Sequence, residues 1–240
     1  MSSTGYTTLS RQSGLLREMQ SVANNIANAT TTGFRREGVI FSEYVLAAEG
    51  EGESLSMARA HARQIDLTAA PLTHTGSQFD FAIEGEGFFQ VETPNGPRLT
   101  RAGSFTPNGE GDLVTPEGYR VLDAGGAPVF IPAEANNIAV AADGTLSADG
   151  QPLTQIGLFT PADPNALSSV AGTMLDPGGA TEPLLNGTIV QGFVEGSNVD
   201  PISEIARMIE VQRTYEMGQN FLDREHDRIS SAVRTLAGSN

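Results

Sequence analysis

The chain has 240 residues and a formal charge of -15, with no cysteine and no lysine among its basic groups. That length holds one well-cored domain with appendages or two modest domains, and the missing cysteines exclude a disulfide framework, a thiolate metal site and a cysteine nucleophile. The charge is uneven: residues 1–75 carry -1, 76–200 carry -13 and 201–240 carry -1. So acidic a middle repels nucleic acid and anionic lipid and reads as a solvated exterior.

The N-terminus lacks the basic start and apolar core of a secretory signal, and no apolar run reaches a spanning length of about 20 residues. The expectation is therefore a chain without membrane insertion, either soluble or exported without a cleaved signal peptide.

All thirteen prolines lie between Pro71 and Pro201, which leaves both ends free to be helical. In the first segment Leu9, Leu16 and Ala23 recur every seven residues, as do Gln12, Met19 and Ile26, and Leu15 and Val22 widen the stripe. This predicts an amphipathic helix of about five turns ending near Asn28–Gly33, where β-branched residues and a glycine replace helix formers.

The middle alternates short apolar runs with turn residues. Phe79–Ile83 and Phe88–Glu92 read as strands around a Gly85–Glu86–Gly87 turn, with further strands expected at 98–106, 112–115, 119–122, 128–131, 138–141, 155–160 and 188–194. This pattern predicts an antiparallel sandwich or barrel, with 46–70 as an extended connection and 161–187 as a Pro/Gly/Ala-rich loop zone.

The last helix is expected to begin with Asn198 or Asp200 as cap, Pro201 in the first helical position and Glu204 in the first turn. From there Met208, Tyr215, Leu222, Ile229 and Leu236 form a seven-residue row, while the companion row Val211, Gly218, Glu225, Ala232 is weaker. A sustained heptad predicts supercoiled packing, and the weak companion row argues for partners on more than one side.

The fold class expected is thus α+β: N- and C-terminal helices packed as a coiled-coil-like α domain, with an inserted antiparallel β-rich domain. The boundaries are 1–35 with 198–240 for the helical domain, 36–75 for an extended connecting segment and 76–197 for the β-rich outer domain.

Catalytic chemistry finds little footing. His61, His74 and His226 have no second ligand at metal spacing, Gly85–Glu86–Gly87 lacks the third glycine and helix of a nucleotide loop, and Asn108–Asp112 lacks calcium-hand spacing. No catalytic, cofactor-binding or metal site is assigned, and no cofactor is expected. A secreted oligomeric binding module is an alternative to a self-assembling structural subunit.

Three blocks carry a resemblance. Ser21–Asn28 (SVANNIAN) with Thr31–Arg35 (TTGFR) is similar to the N-terminal signature of flagellar basal-body rod and hook proteins. Phe81–Val91 with Leu99–Phe105 and Leu113–Gly118 matches the same family, as does Gln191–Val199 leading to Met208–Glu216. Within it the length and single central domain look most like the proximal-rod member, with the distal-rod member next.

The resemblance implies a subunit of the basal-body rod, spanning the periplasm and exported unfolded through the flagellar type III apparatus. Its partners would be that apparatus and other rod subunits, its terminal helices lining the export channel of a torque-transmitting tube. The residues it assigns to assembly are Leu9, Leu16, Met19, Asn24, Asn25, Ile26, Asn28, Gly33, Phe34, Ser197, Asn198, Met208, Tyr215, Leu222 and Ile229. The three asparagine amides would satisfy backbone groups at the end of the first helix or bond across subunits.

Overall fold

The structure is a computed structural model that describes residues 3–46 and 55–237; of the segments expected above, residues 1–2, 47–54 and 238–240 lie outside the described residues. The chain forms two compact units, Met1–Ile26 with Glu37–Arg63 and Asp200–Asn240, and Ala27–Arg36 with Gln64–Val199.

The first unit holds two long helices, α1 (Ser3–Ala27) and α2 (Pro201–Ala237), and a ribbon in which the strand Glu37–Leu46 pairs with Leu55–Ile65. The helices run antiparallel: Asn25 bonds Glu204, Glu18 pairs with Arg207, and Gln12 bonds the carbonyl of Tyr215. Leu15, Val22 and Val211 are buried.

Asp200, and not Asn198, caps α2. Its carboxylate accepts from Ile202 N–H at 3.1 Å and from the Ser203 hydroxyl at 2.6 Å, with Pro201 placed where a missing N–H costs nothing. Among the described residues no helix is long and apolar enough to cross a membrane.

The second unit is built of antiparallel ladders. Its central strand, Phe88–Thr93, pairs with Gly96–Thr100 on one edge and with both Arg120–Val121 and Leu158–Pro161 on the other. Because side chains alternate across a strand, Phe89 and Val91 enter one apolar cluster with Phe81, Phe105, Leu113, Leu146 and Ile156, while Phe88 enters a second with Ile65, Leu99, Phe159, Leu167 and Leu175. Phe89 meets Phe105 edge-on at 5.3 Å between centroids. Phe81–Glu84 pairs with Thr188–Gln191, and Leu72–His74 with Phe193–Glu195, so the last strands before α2 close onto early ones.

Two expectations need correction. The zone 161–187 is not loop throughout: it contains the strands Ser168–Ala171, Met174–Asp176 and Thr181–Pro183, of which the first pairs with the second as a hairpin, the second gains a ladder that sets Leu175 opposite Leu99, and the third pairs with Leu158–Pro161. The strand expected over 98–106 breaks after Thr100, and Arg101–Phe105 docks on Phe79 and Phe81 through backbone bonds. There Gly103 is required: a Cβ at that position would lie 1.7 Å from the Phe81 carbonyl oxygen.

Two outcomes follow for this architecture. Gly103→Ala is expected to lower the stability of the purified chain by about 3 kcal/mol, read as a fall in the urea midpoint, since the obstructing atom is backbone; an unchanged midpoint would contradict the close approach. The Asp200 carboxyl is held below the usual carboxylate range, chiefly by the Ser203 hydroxyl and then by Ile202 N–H. Its capping is therefore complete above about pH 4 and lost as pH falls through the depressed folded value. Protection factors of the first-turn amides of α2, from which the intrinsic pH dependence of exchange is divided out, should fall on acidification, and Asp200→Asn should remove that dependence.

Candidate functional site

The quoted sequence blocks converge inside the second unit on one buried carboxylate. Glu195, 1 % exposed, accepts from Arg35 Nη2 at 2.7 Å, from Arg101 Nη1 at 3.1 Å and from Ala70 N–H at 2.8 Å. Arg35 also donates to the Thr68 carbonyl at 2.9 Å, and Arg101 to that of Gly85 at 2.7 Å while lying over the Phe88 ring. Burial pulls the Arg101 guanidinium below its usual pKa, and the Glu195 charge opposes that shift.

Gly33 closes the cluster. Its N–H donates to the Glu195 carbonyl at 2.8 Å, its φ is +74°, and a Cβ there would lie 2.1 Å from Ala102 N. A side chain is excluded both by the left-handed backbone and by the packing. Phe34 beside it is buried.

Asn198 acts as a second tie. Its Oδ1 accepts from Arg36 N–H at 2.7 Å, and its Nδ2 donates to the carbonyls of Asp66 and Thr68, each at 3.0 Å. Ser197 caps locally, accepting from Val199 N–H at 3.2 Å.

In the first unit the helix pair is held by amides. Asn25, fully buried, accepts from Glu37 N–H at 2.9 Å and donates to Glu37 O at 2.8 Å and Glu204 Oε2 at 3.1 Å. Ser21 Oγ donates to the same Glu37 carbonyl, and Asn24 Nδ2 to the Glu37 carboxylate at 3.2 Å. Farther along, Gln12 Nε2 donates to Tyr215 O at 2.9 Å while its buried Oε1 has no partner. Gly218 allows this approach, because a Cβ there would lie 2.0 Å from Gln12 Nε2.

The other residues assigned to assembly fall elsewhere. Leu9, Leu16 and Ile229 are 48 %, 43 % and 44 % exposed, and Met19, Ile26, Met208, Tyr215 and Leu222 are half-buried. Asn28 accepts from the Thr31 hydroxyl at 3.1 Å in the turn after α1. The face that joins α1 to α2 is the one with Gln12, Leu15, Glu18, Ser21, Val22 and Asn25 against Glu204, Val211 and Gly218. Val211 and Gly218 belong to the row that looked weaker by hydropathy. Arg35, Arg101 and Glu195 lie within the quoted blocks, but only their spatial convergence reveals their role.

Among the described residues no group of three histidines, aspartates or glutamates is placed to hold a metal. The Asn108–Asp112 loop is an Asx turn, with Asn108 Oδ1 accepting from Glu110 and Asp112 N–H.

Comparison with known proteins bears on what this arrangement serves. The family model described as flagellar hook protein FlgE/F/G D1 domain matches residues 82–148, and that described as flagellar basal body rod FlgEFG protein C-terminal matches 190–235. The flagellar basal-body rod protein FlgF of Caulobacter vibrioides is 39 % identical over 98 % of both chains, and that of Mesorhizobium japonicum 36 % over 96 % of both. The chain belongs to the flagellar basal-body rod protein family. It is a structural subunit of that rod, and the family is a structural one, not a family of enzymes. Rod proteins named FlgG are also similar, that of Bacillus subtilis at 30 % identity over 95 % of this chain and 97 % of its own.

The Glu195 cluster yields a test. Glu195→Ala leaves two buried guanidinium groups without their carboxylate, and its expected cost is about 3–5 kcal/mol in urea denaturation. A loss below about 1 kcal/mol would show that the arginines find other partners.

Proposed function

We propose that this chain takes the proximal-rod position, and that copies assemble through the aliphatic residues its helix pair leaves outside. The observation carrying the reading is that Leu9, Leu16, Ile205, Ile209, Met217 and Ile229 remain exposed on α1 and α2 while polar groups occupy much of the face between them. Each such side chain gains about 1.5–3 kcal/mol when fully buried, so a neighbouring helix contributes much to the stability of this unit. The near balance of charge in 1–75 and 201–240 supports close packing between copies, whereas the acidic middle favours solvent.

In this reading residues 1–35 with 198–240 carry the contacts between subunits, packed in coiled-coil fashion with neighbours. Residues 36–75 connect, and 76–197 form the solvated outer domain. The assembled helices surround the export channel and transmit torque, and the chain reaches its place through the flagellar type III export apparatus. The proximal position is supported by identities of 34–39 % to three proteins named FlgF against 30–32 % to those named FlgG. The distal position is the alternative that the latter relatives favour.

Complementation separates the two: the gene should restore swimming to a strain lacking its FlgF relative and fail in one lacking its FlgG relative, and the reverse would assign the distal rod. The packing claim has its own check. Leu16→Asp combined with Ile229→Asp should abolish swimming while changing the stability of the purified chain by less than about 0.5 kcal/mol, as surface substitutions do. Normal swimming would refute the role of these side chains.

A further inference from the structure

α1 ends at Ala27 and α2 starts at Pro201, so residues 28–200, 173 in all, separate two helices that pair with each other. Their seam holds little to drive so distant a closure: among the described residues its buried aliphatic side chains are Leu15, Val22 and Val211, and amides supply much of the rest. In a flexible chain the chance that two ends meet falls as about the 3/2 power of the length between them.

The second unit gathers the points at which the chain leaves it. Ala27, Arg36, Gln64 and Val199 are the residues where the chain passes between the units. Near the first, Gly33 N–H donates to the Glu195 carbonyl at 2.8 Å, an approach to Ala102 that is open to glycine alone. Near the others, Asp66 N–H donates to the Arg36 carbonyl at 2.8 Å, while Asn198 accepts from Arg36 N–H at 2.7 Å and donates to the Asp66 carbonyl at 3.0 Å. These bonds tie the segments around residues 34, 66 and 197 into one collar. It is anchored inside the unit, because the Glu195 carboxylate also holds Arg35 and Arg101. From α1 to Gly33 the chain runs through residues 28–32, and from Glu195 to α2 through residues 196–200. With the Gly33–Glu195 bond made, these ten residues separate the helices in place of 173, which raises their chance of meeting about seventy-fold.

We infer that the collar is a closing device: the second unit folds on its own two apolar clusters and, through Gly33, Glu195 and Asn198, delivers α1 and α2 to each other across a short path. Pairing of the helices is then conditional on the fold of the second unit. A seam registered by amides suffices, because most of the closure entropy has been met before the helices touch. This device goes beyond the rod assignment and operates within a single chain, whichever rod position that chain takes.

Natural cysteine is absent, so an introduced thiol pair can report the closure. Gln12→Cys with Gly218→Cys places thiols at positions that touch across the seam, a Cβ at 218 lying 2.0 Å from Gln12 Nε2. Equilibrating the dilute purified chain with a glutathione buffer gives their effective concentration. A ten-residue Gly/Ser insertion between Val199 and Asp200 doubles the short path and should lower that concentration about threefold. The same insertion between Leu185 and Asn186, in an exposed turn inside the second unit, should leave it unchanged. Gly33→Ala, whose methyl group meets Ala102, should lower the concentration by roughly tens of fold and erase the difference between the two insertions. Equal effects of the two insertions in the chain that keeps Gly33, whether a common fall or none, overturn the proposal. A difference that persists in Gly33→Ala overturns the assignment of the closure to Gly33 and Glu195.

Discussion

The Asn25 amide is the constraint on which the helical unit depends. Fully buried, it uses both Oδ1 and Nδ2 on the Glu37 backbone and reaches the Glu204 carboxylate as well. A buried amide left unsatisfied costs more than the bond itself contributes, so the three groups fix one register of α1, the strand beginning at Glu37 and the first turn of α2. With polar groups holding that register, aliphatic residues at Leu9, Leu16, Ile205 and Ile209 are spared from the internal contact. A helix pair joined wholly by leucines would bury its stripe internally and leave little for neighbours.

Glu195 plays the corresponding part in the β-rich unit. Its carboxylate ties Arg35, Arg101 and the backbone at Ala70, residues that are far apart in the chain. Desolvating three charged groups is costly, and an apolar cluster of the same volume is often at least as stable. What the ionic arrangement adds is selectivity. Arginines that can be satisfied only by one carboxylate at one place allow few alternative packings, and Gly33 lets the backbone approach closely enough for that place to exist.

Much of the architecture was legible in the sequence for simple reasons. The proline-free ends read as helices, Asp200–Pro201 marked the start of α2, and the alternation around Phe81 and Phe88 marked the strands that frame the core. The short strands at Ser168–Ala171, Met174–Asp176 and Thr181–Pro183 were not legible, because they have little periodicity of their own: the last two exist through ladders to Leu99 and Phe159, and the first pairs in turn with Met174–Asp176. The face joining the helices was obscured for a related reason. Hydropathy ranked Leu9 and Ile229 above Gln12, Asn25 and Gly218, but beside buried Leu15, Val22 and Val211 the internal contact is registered by amide hydrogen bonds and a glycine gap, to which hydropathy assigns no weight. The Glu195 cluster lay in plain view in the quoted blocks, yet the convergence of three distant residues is a property of the fold.

The central claim is that polar groups hold the helix pair within a subunit while its aliphatic residues serve the contacts between subunits. A density map of the intact basal body, with this chain traced in it, tests that claim most directly. The account predicts Asn25 and Gln12 in their bonds within one chain, and Leu9, Leu16, Ile209 and Ile229 covered by neighbouring subunits. It is contradicted if those four side chains line open solvent, or if the amides bridge between subunits instead.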